Sequence, residues 1–239
     1  FIDDTDSDNY RLTYGSSEVL ITNGVQYTLA PGGRYYFDLS AMDIPGTVNS
    51  NLSDKTLHYV PFTYVGTVDA YVLNTASVGV ADSSEKASVA TDKDAQYGYV
   101  YEHSLFIVDD KVTTNISWID LNNAGFIFGK SYTAGGINYT LSAPTIGNQN
   151  DFDDYKCGLP INNEWEQIIA KNPDFLRLPE NTECYTWGQD TYYDQDNSAG
   201  ANCYRSFRMN YNQLWGGSES STVGAYRPVL ELPTDLAAD

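Results

Sequence analysis

Short runs rich in β-branched and aromatic residues, each closed within a few positions by Gly, Pro, Asn or Asp, fill the first 150 positions of this chain. A helix needs an apolar recurrence every three or four residues, and over this stretch that recurrence is nearly missing. A chain written this way is expected to build sheets from many short strands. Val19-Leu20-Ile21 meets Asn23-Gly24, a dipeptide that takes the positive backbone angles of a tight hairpin, and Val25 to Leu29 follows before Pro31-Gly32-Gly33. Tyr35 to Leu39 reads as the next strand, closed by Pro45-Gly46. Leu57 to Phe62 and Thr63 to Leu73 read as two more, with a break or a sheet edge at Pro61, which has no N–H to give. Residues 74–96, rich in Ala, Ser, Asp and Lys, read as a long exposed loop and as the best place for a boundary.

A second series opens at Tyr97, with Gly98 to Val108 as a strand, Ser117 to Leu121 as a helical turn and Gly125 to Lys130 beyond it. Gly135 to Leu141 echoes Asn23 to Leu29, a short repeat that two unrelated hairpins also produce. One helix is well marked. Asn163 stands as its cap with Glu166 three positions on, Trp165, Ile168 and Ile169 share one face, and Pro173 follows the end. Such a helix is expected to lay its Trp165 face on a sheet. The remainder alternates strands with polar stretches: Cys184 to Trp187, then Tyr204 to Met209, then a closing strand Ala225 to Leu232.

Thirty-two acidic residues against 13 basic ones give a net charge of −19. That field repels phosphate backbones and anionic headgroups, which argues against nucleic acid and membrane surface as partners. No apolar run is long enough to span a bilayer, and the opening at Phe1 reads as an excised piece of a longer protein, whose export signal and anchor are expected elsewhere. Twenty tyrosines and four tryptophans supply flat apolar bodies with a polar tip, a chemistry shared by extracellular β-proteins and recognition surfaces. Cys157, Cys184 and Cys203 cannot all pair internally, no C-x-x-C pair is present, and spacing alone does not establish a Cys184–Cys203 bridge.

The capped helix with its N-E-W core, the Y-T-W-G at 185–188, the Tyr-, Asn- and Gly-rich stretch after it and the closing G-A-Y-R-P-V-L-E-L together resemble the C-type-lectin-fold modules of large cell-wall proteins of gut Firmicutes. More distantly they are similar to the variable proteins of diversity-generating retroelements. G-G-R-Y-Y-F-D-L, I-P-G-T-V-N-S and H-Y-V-P-F-T-Y-V-G look like the amino-terminal half of the same surface modules. The resemblance implies an α+β, C-type-lectin-like fold, β-rich with about two helices. The expected plan is an acidic linker over 1–9, a single domain over 10–233 with a β-rich half (about 10–150) and a ligand-presenting half (about 151–233), and a tail over 234–239.

It also implies a non-enzymatic, secreted binding module on the bacterial surface, monomeric within its parent chain and needing no cofactor. Its ligand surface lies just before the closing strand. Carried over by position, that surface draws on Tyr192, Tyr193, Asp194, Asp196, Asn197, Asn202, Tyr204, Arg205, Arg208, Asn210, Tyr211, Asn212, Trp215 and Ser218. The residue types fit independently: Tyr and Trp give rigid contact area, Asn and Ser adaptable hydrogen bonds, and Arg205 and Arg208 charged anchors. A solvated loop with ordinary surface Tyr and Asn is the plainer reading. Trp165, Trp187, Val229 and Leu230 belong to the scaffold by the same carry-over, while Arg227 either satisfies a buried carboxylate or reaches the surface. A host protein is the expected ligand, immunoglobulin by analogy with other gut surface proteins; a carbohydrate-binding module and a structural spacer are the alternatives.

Rival chemistry has less to stand on. No E-P-N, Q-P-D or W-N-D triplet marks a calcium-dependent sugar site, and Pro179-Glu180-Asn181 only scrambles the first of these. Alternate aspartates at Asp4, Asp6 and Asp8 resemble cation ligands but lack the Gly and the distant Glu of an EF-hand loop, so they read as linker. His58 and His103, the only histidines, lie in strand-like runs and suit hydrogen-bonded structural roles. No G-x-S-x-G elbow occurs, and no particular pair of carboxylates stands out as a glycosidase couple.

Overall fold

The computed structural model describes the backbone of residues 10–14, 17–21, 29–69, 71–73, 98–100, 102–147, 149–150, 158–159, 162–177, 185–191, 204–208 and 214–232. Side chains are described for these except 10–14, 17–21, 71–73, 98–100, 149–150, 158–159, 191 and 204–206. The acidic linker with its aspartates, the 74–96 stretch and all three cysteines lie outside the described residues.

The chain is β-rich, with two α-helices among the described residues. In order, β1 (Tyr10–Tyr14), β2 (Ser17–Ile21), β3 (Arg34–Phe37), β4 (Thr47–Val48), β5 (Val60–Val68), β6 (Tyr71–Leu73) and β7 (Gly98–Val100) precede β8 (His103–Val108) and β9 (Thr113–Ile116). Then come α1 (Trp118–Asn123), β10 (Lys130–Ala134), β11 (Ile137–Ser142), β12 (Gln149–Asn150), β13 (Gly158–Leu159) and α2 (Glu164–Lys171). The last strands are β14 (Thr186–Thr191), β15 (Tyr204–Arg208), β16 (Leu214–Ser218), β17 (Gly224–Tyr226) and β18 (Val229–Glu231). No helix among the described residues is long and apolar enough to cross a membrane.

Two six-stranded sheets carry the architecture, ordered β10-β11-β18-β8-β5-β3 and β16-β15-β14-β17-β9-β4. The single closing strand expected over 225–232 is in fact two strands in different sheets, β17 in the second and β18 in the first. The crossing falls at Arg227-Pro228. There the carbonyl of Tyr226 accepts from Val112 N at 2.8 Å and that of Pro228 from Val108 N at 3.1 Å, so the backbone stays satisfied through the switch.

β8 is buried along its whole length because both faces of the first sheet are covered, which is why H-S-L-F-I-V reads as a run and not as an alternation. Phe106 and Val108 point into a large aromatic core with Phe37 at its hub, whose ring stands edge-on to Phe62 at 5.3 Å, Phe106 at 5.3 Å and Tyr139 at 5.6 Å. Leu105 and Ile107 face a second core, where Trp165 and Ile168 of α2 meet Val229 and Leu176. The capped helix thus packs its Trp165 face as its spacing implied, with the Asn163 side chain accepting from Glu166 N at 3.0 Å.

Three local readings are corrected. β5 runs unbroken through Pro61, in the strand's second position and opposite Tyr36 of β3, while the Pro61 carbonyl accepts from Asp109 N at 2.9 Å. The irregularity falls instead at Gly66, at φ +87°, where the β5–β8 register shifts. Residues 124–128 form turns, with Phe126 and Ile127 plugged into the core, so only Lys130 of the 125–130 run is strand. His58 lies in the bends before β5, paired with Asp38 Oδ2 at 3.1 Å, and His103 alone is on a strand. The β10–β11 hairpin turns on Gly135 (φ 58°) and Gly136 (φ 79°), the pair of positive angles that a two-residue hairpin demands.

Candidate ligand-binding face

β14, β15 and β16 form one end of the second sheet, and their register sets Trp187, Phe207 and Trp215 directly opposite one another across three strands. Opposed residues in antiparallel pairs share a face, so the three rings line up from interior to rim. Trp187 is fully buried, Phe207 nearly so, and Trp215 on edge strand β16 is 46% exposed. Phe207 stands edge-on to Trp187 at 5.5 Å and tilted against Tyr185 at 6.0 Å. The inner indole fills a slot floored by glycine: a Cβ on Gly217 would lie 3.2 Å from its Cη2, and one on Gly224 only 1.8 Å from its Nε1. Its N–H donates to the Ile116 carbonyl at 2.9 Å, so the row is fixed at its buried end.

Large exposed hydrophobic side chains among the described residues are Ile119, Trp215 and Val223. Trp215 and Val223 bracket the turn that leads from β16 to β17, and Ile119 N donates to the Glu219 carbonyl of that turn at 3.0 Å. Ser218, also exposed, ends β16 opposite Tyr204, and Arg205 stands opposite Gly217. Of the expected ligand surface, Tyr204 and Arg205 lie on β15 and Trp215 and Ser218 on its edge-strand neighbour β16, where alternation sets Ser218 on the opposite face from Trp215. Tyr192, Tyr193, Asp194, Asp196, Asn197, Asn202, Asn210, Tyr211 and Asn212 lie outside the described residues.

Arg208 is a correction. It is fully buried on the opposite face of β15, where its Nη2 donates to the Ile146 carbonyl at 2.9 Å and pairs with the Glu166 carboxylate. The reason is strand alternation: with Phe207 turned toward Trp187, its neighbour must point the other way, into the core beneath α2. Its guanidinium lies 5.7 Å over the Trp165 ring. Arg208 thus clamps β15 to α2.

Around it sits an ionic layer that the sequence reading missed. Asp190 of β14, buried, accepts from Ile146 N at 2.6 Å and Gly147 N at 3.2 Å. Glu164, buried at the start of α2, meets His103 Nε2 at 2.7 Å and accepts from Thr145 N at 2.7 Å. Burial pushes Asp190 up to about 6; the Glu164 charge adds to this, while the two backbone N–H groups and Arg208 oppose it. No spacing signal announces these residues, because their partners come from four separate elements. Arg227 does not reach the surface: buried, it gives N–H groups to the carbonyls of Val108 at 3.1 Å, Asp109 at 2.6 Å and Leu176. Trp165, Trp187, Val229 and Leu230 are scaffold, each fully buried.

Among the described residues no group of three or more His, Cys, Asp or Glu side chains is placed to hold a metal. No family model, curated protein or solved structure matches the chain.

Proposed function

We propose that this chain is a C-type-lectin-like, non-enzymatic ligand-binding module of a bacterial surface protein, displayed outside the cell, and that it captures a host protein on the β15–β16 edge. The observation that carries the reading is Trp215, a half-exposed indole continuing a row of rings whose inner members are locked in the core. A tryptophan offers a large flat contact area governed by only two side-chain torsions, so it loses little entropy on binding and serves as an effective anchor at the centre of a protein interface. Ile119 and Val223 add exposed apolar area around the turn that follows β16.

The same exposed indole suits a second reading, stacking on a sugar ring, so the test separates the two. Immobilised immunoglobulin and a glycan array are probed with the wild-type chain and with Trp215→Ala. Capture of immunoglobulin that Trp215→Ala abolishes supports the proposal. Glycan binding lost on the same substitution would replace it with a carbohydrate-binding module, and binding indifferent to Trp215 would remove this edge as the site.

A further inference from the structure

Two of the chain's six arginines meet at the carboxylate of Asp109 and a third donates to that residue's main-chain carbonyl, about a hundred positions in sequence from Trp215. Asp109, buried after β8, has its Oδ2 within 2.5 Å of Arg34 Nε at the start of β3 and within 3.1 Å of Arg177 Nε beyond α2. Its Oδ1 accepts from the buried Thr63 hydroxyl at 2.6 Å, and its main-chain carbonyl accepts from Arg227 Nη2 at 2.6 Å. Among the described residues, two guanidinium groups thus share one carboxylate oxygen in a chain of net charge −19.

The two outer arginines are not sealed in. Their side chains are 35% and 40% exposed, and among the described residues Asp109 is the only carboxylate paired with either. Each guanidinium carries five N–H donors in a flat fork, and Asp109 Oδ2 lies beside the Nε of both, so the two forks approach one oxygen from two sides. The pair is also pre-positioned: Arg34 lies 5.7 Å over the Tyr36 ring, and Arg177 Nε is steadied by Thr63 Oγ1 at 3.2 Å in a left-handed backbone conformation (φ 47°). Two like charges held beside one oxygen repel, and an incoming anion relieves that repulsion.

We propose that Arg34 and Arg177 form an anion-binding site for a single carboxylate group on an otherwise uncharged ligand, such as an acidic monosaccharide. Planar forks match a carboxylate by paired N–H contacts. The chain's overall negative charge works against an extended polyanion, so a ligand bearing one charge fits better than a highly charged polymer. The site is independent of the Trp215 edge and stands or falls separately from it.

The test follows the arginine Nε resonances by NMR while glucuronate is added at constant ionic strength, with glucose and sodium chloride as controls. Expected are saturable shifts at Arg34 and Arg177 with glucuronate alone, weakened about tenfold in Arg34→Lys and in Arg177→Lys, which keep the charge but lose the fork. Shifts equal to those in chloride, or saturable binding unaltered in both folded variants, would overturn the proposal and leave the cluster as a structural ion pair. Should either variant fail to fold, the comparison of glucuronate with glucose on the wild-type chain still decides. A heparin fragment that bound more tightly than glucuronate would also reject the single-carboxylate assignment.

Discussion

The indole of Trp187 occupies the space that a side chain at residue 224 would need: a Cβ built on Gly224 falls 1.8 Å from Trp187 Nε1. That contact joins β14 to β17, parallel neighbours in the second sheet. Gly224→Ala must therefore push the indole off its hydrogen bond to Ile116 or pull the strands apart. We expect a loss on the order of 3 kcal/mol, read as a lower urea midpoint. A stability unchanged within about 0.5 kcal/mol would show that the slot yields more easily than its geometry implies.

Phe207 and Trp215 share a row but not a role. Phe207→Ala should cost about 3 kcal/mol, as buried aromatic truncations do, whereas Trp215→Ala at the rim should cost less than about 1 kcal/mol. Thermal denaturation of the two variants checks the contrast. A large loss for Trp215→Ala would make the rim ring a part of the core and weaken its use as a binding anchor.

Arg208→Ala should behave as a folding mutant. Removing the guanidinium strands Glu166 and the buried Asp190 without their cation, and breaking a buried pair in this way costs about 3 to 5 kcal/mol. Denaturant titration measures it directly. Full stability combined with lost ligand capture would restore Arg208 to the binding surface where the resemblance had placed it.

Asp190 gives the core a pH dependence whose sign is fixed. Its carboxyl titrates near 3.8 when unperturbed and is pushed up to about 6 in the fold, chiefly by burial. Between those values the folded chain holds a proton that the unfolded chain has released. This group therefore adds stability below about pH 4 that is lost as the pH rises through about 6, a contribution of at most about 3 kcal/mol. Asp190→Asn retains an oxygen for the Ile146 and Gly147 N–H groups and should flatten that slope. Urea midpoints at pH 4.5 and 7 for both chains test it; an identical slope in the variant would assign the titration to another group.

Local signals carried what is local. Asn163 and Glu166 announced α2, Ser117 announced the turn that became α1, and the apolar run through β8 was legible because a strand covered on both faces needs no polar alternation. Trp165 and Trp187 were also assigned to the scaffold by the resemblance, and both are buried. Pro61 misled because a proline's missing N–H matters only when a neighbour requires it, and which strands neighbour β5 is not written near Pro61.

What only the tertiary structure decided is where each of those residues faces. Arg227-Pro228 looks like the middle of one strand, yet the backbone there passes between two sheets because β9 and β8 offer hydrogen bonds on either side. Arg208 and Trp215 looked equally suited to a ligand, but alternation along paired strands sends one beneath α2 and leaves the other at the rim. Residue type sets what a side chain is able to do. Pairing partners far away in the sequence set the register, and register fixes which side of the sheet receives it.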